Sequence, residues 1–436
     1  MILLALCLLA QSQADQELQK QLEKAIQADQ QQTQQGQPAN PPVPPAAVTG
    51  STGTVPQTLM RGAQSLNPDI SAILDATMGW QRRAPQFLNG DDPNLHGDTA
   101  HALGFTAQEV EVAASAVVDP YFKGEVYLTI ANLSGLEVEE AFATSTSLPW
   151  NLQVKAGSFR SAFGRQNGQH LHVQDFTRRP LINAAFLGDD GLRGPGAQVS
   201  WLAPLPFFLT FYAEALSVSN APASIDGPLP EPVKSFGANV AQRPTLTAEA
   251  KFFLPFGEEW SLYGGLNFAS GESPGLSVAS GGTMGAGRQT QLFGADVYVK
   301  WKPANVAQTY GSVAFQAEVV VRHLAAGDGL ADDWDGGAYG QAVVQFARRW
   351  FVGARGDLIG LPASSVTART ARGAVDLTFQ GSEFMRIRAY AELEKGNISF
   401  ADQSVGMLLP AVQPSWAPAL FFQLEISIGA HGAHPF

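Results

Sequence analysis

The chain has 436 residues, of which 39 are Asp or Glu and 27 are Lys or Arg, so that 15% are charged. This charged fraction is well below the roughly 25% of ordinary soluble domains. A net charge of -12 argues against a nucleic-acid partner, which would need a clustered basic face. After the leading residues, no apolar run reaches the roughly 18 residues of a membrane-spanning helix, which excludes a helical membrane protein.

Residues 1–14 are predicted to be a secretory signal peptide. An apolar stretch is followed by small and polar residues ending in Ser-Gln-Ala, the kind of sequence that a signal peptidase cleaves. The single cysteine, Cys7, lies within it, so the mature chain has no thiol for catalysis, metal ligation or disulfides. A lipid anchor on Cys7 is the competing interpretation, but Leu6 stands where a small residue is normally required.

Two further segments precede the predicted folded domain. Residues 15–35 are rich in Gln and place Leu18, Leu22 and Ile26 at helical spacing, which predicts an amphipathic helix or a short coiled coil. Residues 36–64 are rich in Pro and polar residues and cannot form a packed core. They are predicted to be an extended periplasmic linker.

Residues 65–436 are predicted to consist of β-strands, because apolar and polar residues alternate with a period of two. Near the C-terminus, Phe422, Leu424 and Ile426 share one strand face and Gln423 and Glu425 share the other. This pattern suits a soluble sandwich or a membrane barrel equally well. Sixteen strands are predicted, over residues 69–80, 108–118, 122–132, 138–145, 150–160, 196–203, 206–218, 245–255, 259–270, 289–302, 310–323, 336–347, 350–360, 366–379, 383–395 and 416–430.

The lengths of the connections favour the barrel. Short turns, such as those near residues 119–121, 204–205 and 348–349, alternate with long loops, such as residues 81–107 and 161–195, with two exceptions near 133 and 361. Tight turns at one rim and long loops at the other are typical of outer-membrane barrels, in which an even strand number places both chain ends in the periplasm. We therefore predict an all-β fold, a transmembrane antiparallel barrel of 16 strands with short periplasmic turns and long extracellular loops.

Three segments also resemble a known family. They are NPDISAILD at 67–75, VKAGSFRSAFGRQNGQHLHVQDFTRRPL at 154–181 and FLGDDGLRGPGAQVSWLAP at 186–204. They are similar to a porin-like family of Gram-negative outer-membrane barrels, related to the phosphate-selective porins and often labelled zinc-regulated TonB-dependent outer-membrane receptor. The resemblance implies passage of small solutes with a link to a metal. Residues 15–64 are too few for the folded plug of a TonB-dependent transporter, so energised uptake is not expected.

Histidines in the two longest loops form a candidate metal site. His170 and His172 form a His-x-His pair, a spacing that presents two imidazoles from one extended segment, and imidazole is a good zinc ligand. We hypothesise that this pair, with His96 or His101, captures zinc at the extracellular mouth, supported by Asp91, Asp92, Asp98 and Asp175. The alternative is that these are ordinary polar loop residues, and no cofactor is required for the fold.

Charged residues on the strands are predicted to line the lumen. A ring of Arg would favour anions such as phosphate, but carboxylates share the same faces, so weak ion selectivity is expected. The second long loop could fold inward as a constriction carrying Arg160, Arg165, Arg178 and Arg179. The predicted lining residues are Lys300, Glu318, Arg322, Arg355, Asp357, Arg372, Asp376, Arg386, Arg388 and Glu392.

These features predict an outer-membrane channel of a Gram-negative bacterium for small hydrophilic solutes or ions. Outer-membrane lipids and lipopolysaccharide are the expected partners of its apolar face, and a homotrimer is compatible with the architecture. The motifs of serine hydrolases, zinc proteases and phosphate-binding loops are absent, so no enzyme activity is expected. The alternatives are a receptor or metal-binding protein with a plugged lumen and, less favoured, an outer-membrane hydrolase.

Overall fold

The computed structural model describes residues 68–81, 103–131, 135–188, 190–224, 233–237, 243–278, 282–305, 310–362, 364, 367, 369–396 and 415–429. The signal peptide, the Gln-rich helix and the Pro-rich linker predicted for residues 1–64 lie outside this range. His96, His101 and the aspartates near them lie outside it as well.

Alternating residues of two faces build a set of extended strands joined by turns and loops. In chain order the strands are β1 Asp69–Gln81, β2 Leu103–Val117, β3 Phe122–Ala131, β4 Glu137–Ser145, β5 Leu152–Arg160, β6 Arg193–Leu202, β7 Phe208–Leu216, β8 Ala223–Ser224, β9 Thr245–Phe256, β10 Trp260–Glu272, β11 Leu276–Val278, β12 Gly282–Met284, β13 Gln289–Trp301, β14 Ser312–Leu324, β15 Asp333–Ala347, β16 Trp350–Ile359, β17 Thr370–Ser382, β18 Met385–Gly396 and β19 Ser415–Gly429.

Sixteen of these strands, all except β8, β11 and β12, form a closed antiparallel barrel in which successive barrel strands pair with each other and the first pairs with the last. The barrel closes where β1 pairs with β19, in a register that runs from Ser71 opposite Gly429 to Gln81 opposite Ala419. Closure leaves no sheet edge with unpaired backbone groups, as a strand structure inside a bilayer requires. The predicted all-β, sixteen-stranded antiparallel barrel is confirmed.

A small second sheet was not predicted from the sequence. It consists of β12, β11 and β8 in that order, and β11 pairs with β8 in parallel and with β12 antiparallel. Its strands come from segments predicted to be loops, after β7 and after β10. They are two or three residues long, too short for an alternating pattern to reveal them.

The barrel is apolar outside and polar inside. In β19, Leu420 and Phe422 are 49% and 53% exposed, whereas Gln423 between Phe422 and Leu424 is 2% exposed. Trp260 and Trp350, at strand starts, are also exposed, as expected for an aromatic girdle. Other large apolar side chains on the outer face include Phe105, Val199, Leu266, Phe315, Val375 and Ile387. This arrangement is inverted relative to a soluble sandwich and suits a lipid environment.

A β-bulge in β4 breaks the alternation at one point. Tyr127 pairs with Glu140, but the next residue of β3, Leu128, pairs with Val138, so Glu139 has no partner of its own in the register. Two residues of a bulged strand oppose one of its neighbour, which lets successive side chains point to the same face. Glu139 and Glu140 are accordingly both buried.

Helical structure is confined to short turns. A 3₁₀ turn covers Pro149–Asn151, a second covers Leu171–Val173, and a single π-helical turn covers Asn183–Leu187. No helix in the described part of the chain is long and apolar enough to cross a membrane. The second and third turns belong to the long connection between β5 and β6, which folds into the barrel.

Candidate functional site

The connection between β5 and β6, residues 161–192, is named here the inward loop because it packs inside the barrel. Its apolar side chains Phe163, Leu181, Ile182 and Phe186 are at most 1% exposed. They form one apolar cluster with residues of the barrel wall, among them Leu292, Val320, Tyr339 and Ile359. Burial of this much apolar surface is a strong driving force for holding the loop inside the barrel.

Hydrogen bonds hold the inward loop against strands that lie far from it in the sequence. The backbone N–H of Gln166 donates to Oε1 of Glu318 at 2.7 Å, and that of Leu181 donates to Oδ1 of Asp357 at 3.0 Å. The Lys251 ammonium donates to the carbonyl oxygen of Gly164. Bonds of this kind satisfy backbone groups that would otherwise be buried without partners, and bonds to ionised groups are the stronger ones.

The loop arginines proposed as a constriction lie within this packing. Arg178 forms an ion pair with Glu392 on β18, and Arg179 pairs with Asp190 at 3.0 Å within the loop. Arg160 is the last residue of β5 and pairs with Glu139 and, at 2.7 Å, with Asp190. The loop therefore carries its basic groups inside the barrel, mostly neutralised by carboxylates.

Arg165 differs from the other loop arginines. Its guanidinium lies 4.0 Å from the ring centre of Tyr298 and 5.3 Å from that of Tyr263. Among the described residues it forms no ion pair. Stacking on aromatic rings stabilises an arginine without cancelling its charge, so Arg165 is a source of net positive potential in the lumen.

The predicted lining residues all lie on the inner wall, and most are covered by the inward loop or paired with a carboxylate. Arg355 donates to the carbonyl oxygen of Arg178 at 2.6 Å and pairs with Asp357 at 2.9 Å. Arg372 pairs with Glu394 at 2.8 Å, and Arg322 pairs with Asp335 at 2.6 Å. Arg386 and Arg388 both form ion pairs with Glu425. The carboxylate of Asp376 accepts a hydrogen bond from Thr378, and that of Glu318 accepts one from Tyr339. Lys300 on β13 is half-buried.

A cavity of about 950 Å³ remains between the inward loop and one side of the wall. It is lined by residues of β1 to β7, β9 and β10 and by loop residues between Ser161 and His170. A space of this size admits solutes of the size of a small sugar. Its lining mixes both signs of charge and includes Glu111, Glu125, Glu140, Lys155, Arg165 and Lys251.

His170 and His172 meet glutamates on the barrel wall. Nδ1 of His172 lies 3.2 Å from Oε2 of Glu111, and Nδ1 of His170 lies 3.3 Å from the same oxygen. His170 also lies 3.4 Å from Oε1 of Glu139 through Nδ1 and 2.9 Å from Oε1 of Glu140 through Nε2. Two overlapping sets of possible metal ligands result: Glu111, Glu139 and His170, and Glu109, Glu111 and His172.

The surroundings of this pair differ from those expected from the sequence. The pair is buried inside the barrel against β2 and β4. Its carboxylate neighbours are glutamates of the wall, and Asp175 instead accepts a bond from Gln341 at 3.3 Å. The inward-facing Glu109 and Glu111 of β2 are visible as an alternation in the sequence, but the bulge that turns Glu139 and Glu140 inward is not.

Burial and charge act in opposite directions on the His170 imidazole. Burial alone disfavours the cation and would lower its pKa, but the nearby carboxylates of Glu139 and Glu111 outweigh burial and raise the pKa well above its ordinary value. In the absence of another cation, the cluster therefore favours a protonated His170. The positive charge needed among these glutamates can come from a proton or from a metal ion.

Comparison with known proteins supports the fold. No family model matches the chain. Three solved structures with 10 to 11% identity each cover 83% of the chain: OmpT of Vibrio cholerae in a trimer form (99% of that chain, TM-score 0.52), an anion-selective porin from Comamonas acidovorans (99%, 0.51) and the outer membrane channel DcaP of Acinetobacter baumannii (97%, 0.52). At this identity the likeness establishes the fold, that of the outer-membrane porin barrels.

One similar sequence is close enough to define a family. An uncharacterized protein of Aquifex aeolicus strain VF5 is 32% identical over 401 residues, which span 85% of this chain and 80% of that protein. The match is too long to be restricted to the inward loop and therefore includes most of the barrel. The chain belongs to the same family as this Aquifex aeolicus protein, a family whose fold is the sixteen-stranded porin-like barrel.

Proposed function

We propose that the protein is an outer-membrane channel of a Gram-negative bacterium for small hydrophilic solutes and ions, narrowed by the inward loop. The observation that carries this proposal is a closed sixteen-stranded barrel with an apolar outer face and a charged interior that retains a cavity of about 950 Å³. Barrels of this strand number enclose an aqueous channel unless a segment closes it. Two of the similar solved structures are described as a porin and a channel.

The channel is proposed to be weakly ion-selective. The cavity lining includes lysines, arginines and glutamates, and the arginines of the wall are paired with carboxylates such as Asp357 and Glu394. Paired charges contribute little net potential to a solute, in contrast to a ring of like charges. This balance argues against a dedicated phosphate path, and the anion selectivity of the Comamonas acidovorans porin is not carried over.

We propose that zinc is bound by the protein and is not transported through it. His170 and His172 are buried against β2 and β4 among glutamates, a position that suits retention of an ion within the protein. A transported ion needs binding weak enough to allow release on both sides. Zinc is therefore proposed as a ligand of the folded barrel and not as its solute.

A receptor with a closed lumen is the second candidate function. It is favoured by the inward loop, whose apolar core fills part of the space inside the barrel. A hydrolase is not proposed, because it would need a histidine paired with a serine, whereas the known contacts of His170, His172 and His323 are with carboxylates. Measurement of solute flux through the barrel distinguishes the channel from the receptor with a closed lumen.

The proposal is tested by reconstituting the purified full-length protein in liposomes and measuring swelling in iso-osmotic sugars of increasing size. We expect swelling to slow as the sugars become larger, from pentoses to trisaccharides, because the inward loop narrows the lumen. Liposomes containing heat-denatured protein are the control. Absence of swelling with every sugar, in vesicles that contain the folded barrel, would support the closed receptor instead.

We also propose that the barrel assembles as a homotrimer in contact with outer-membrane lipids and lipopolysaccharide. The support is its broad apolar outer face and its likeness to the Vibrio cholerae OmpT structure, which is described as a trimer form. Light scattering of the detergent-solubilised protein, corrected for bound detergent, measures the number of chains. A mass of one chain would contradict the trimer without affecting the channel.

A further inference from the structure

We propose that a buried divalent transition-metal ion binds at Glu111, together with either Glu139 and His170 or Glu109 and His172, and fastens the inward loop to the barrel wall. All five residues are buried, and they come from three separate segments: β2, β4 and the inward loop. The site is independent of whether the lumen conducts, because it concerns the folded barrel alone.

The distances in the cluster suit metal ligands. Bonds of 2.0–2.2 Å from zinc to nitrogen and oxygen place neighbouring ligand atoms of a tetrahedral site about 3.3–3.5 Å apart. The distances from Oε2 of Glu111 to the Nδ1 atoms of His172 and His170 are 3.2 and 3.3 Å, and that from His170 Nδ1 to Glu139 Oε1 is 3.4 Å. Charge-assisted hydrogen bonds are shorter, at about 2.7–2.9 Å.

The local charge balance also favours a cation. Glu109, Glu111, Glu139 and Glu140 are all buried in this part of the wall, and Arg160 contacts Glu139 and Glu140. Buried carboxylates are costly unless they are paired with positive charge or bind a metal. A divalent ion bound at Glu111 would supply that charge.

The type of ligand selects the type of ion. An imidazole together with carboxylates suits zinc and the neighbouring first-row transition metals, whereas calcium and magnesium prefer oxygen ligands alone. Stacking of the two imidazole rings, with centres 5.7 Å apart, and of Tyr127 on His170 at 4.6 Å holds the histidines in place. The ion would thus join a loop that crosses the lumen to strands on one side of it.

The test is isothermal titration of zinc into the untagged, EDTA-treated, full-length protein in detergent. The variants are Glu111→Gln, which keeps the size of the side chain, and His172→Asn, which is smaller but still polar. The control is His323→Ala, which removes a histidine at the rim that contacts Asp332 and not this cluster. Cobalt absorption spectra provide a second readout, because tetrahedral coordination gives intense visible bands. Resistance to SDS before heating verifies that each variant is a folded barrel.

We expect the wild type and His323→Ala to bind zinc equally tightly and Glu111→Gln, which lacks the carboxylate common to both ligand sets, to bind it at least about 100-fold more weakly. The cobalt bands should disappear in Glu111→Gln. His172→Asn should lose zinc binding if the ion lies with Glu109 and keep it if the ion lies with Glu139. Equal affinity in the wild type and Glu111→Gln, or no zinc binding by the wild type, would overturn the site. A zinc site in a barrel without conductance would leave this inference standing while contradicting the channel.

Discussion

The backbone N–H of Leu181 donates a hydrogen bond to Oδ1 of Asp357 at 3.0 Å, although the two residues are 176 positions apart in the chain. Asp357 also pairs with Arg355, whose guanidinium donates to the backbone carbonyl of Arg178. One carboxylate on β16 thus orients two points of the inward loop. The position of the loop depends on a few such contacts between its backbone and charged residues of the wall.

Replacement of Asp357 by Ala is expected to loosen the inward loop without unfolding the barrel. The change removes the acceptor of Leu181 and leaves Arg355 buried without its carboxylate, at a cost of about 3–5 kcal/mol. Strand pairing involves backbone groups and should persist. Planar-bilayer recordings should show greater open-channel noise than in the control Asp332→Ala, which removes an ion pair at the rim. Identical noise in the two variants would show that this anchor does not hold the loop.

Replacement of Arg165 by Ala is expected to shift ion selectivity toward cations. Arg165 borders the cavity and stacks on Tyr298, and its charge is not cancelled by an ion pair in the described residues. Reversal potentials in a potassium chloride gradient measure the change. Arg243→Ala is the matched control, because Arg243 is highly exposed and pairs with Glu272. A shift of equal size in both variants would remove Arg165 as the source of selectivity.

Replacement of Gly157 by Ala is expected to impair folding. Gly157 has φ of 133°, and a Cβ there would lie 2.2 Å from the carbonyl oxygen of Ala141 on the paired strand. Strained backbone of this kind costs roughly 1–3 kcal/mol, and the close contact adds to it. Gly356→Ala is the control, since nothing lies within 4 Å of its Cβ position. The fraction of SDS-resistant barrel after refolding should fall for Gly157→Ala alone; equal yields would contradict the clash.

Zinc is expected to stabilise the wild-type barrel against urea but not the Glu111→Gln variant. A ligand that binds only the folded state, at a free concentration of 100 times its dissociation constant, adds about 2.7 kcal/mol. Reversible unfolding in lipid vesicles, followed by tryptophan fluorescence, measures the shift. Magnesium at the same concentration is the control for ionic effects. A shift of equal size in wild type and variant would place the stabilising ion elsewhere.

The barrel could be predicted from the sequence because its strands are long and its period is regular. In β19 the apolar and polar residues alternate over most of the strand, and every predicted strand is present with ends that differ by a few residues. The ends of β2 and β17 are the least accurate, since the strands begin at Leu103 and Thr370 and not at 108 and 366. Turn residues and loop polarity near strand ends do not fix where pairing stops.

The candidate site was only partly predictable. The inward position of Arg355 and Arg388 follows from strand parity, and the length of the inward loop indicates that it can reach the axis. The partners of His170 could not be found in this way, because they depend on where the inward loop packs against β2 and β4 and on a bulge in β4 that shifts the register. Local patterns carry no information on such long-range pairing.

Single-channel conductance of the purified barrel in planar bilayers tests the central claim most directly, with a variant in which residues 165–179 are replaced by a short Gly-Ser linker. We expect discrete conductance steps from the wild type and steps several times larger from the shortened variant, because a pore filled by a loop conducts less than an open sixteen-stranded one. Contradiction would come from a folded wild type that passes no current, or from equal steps in both proteins.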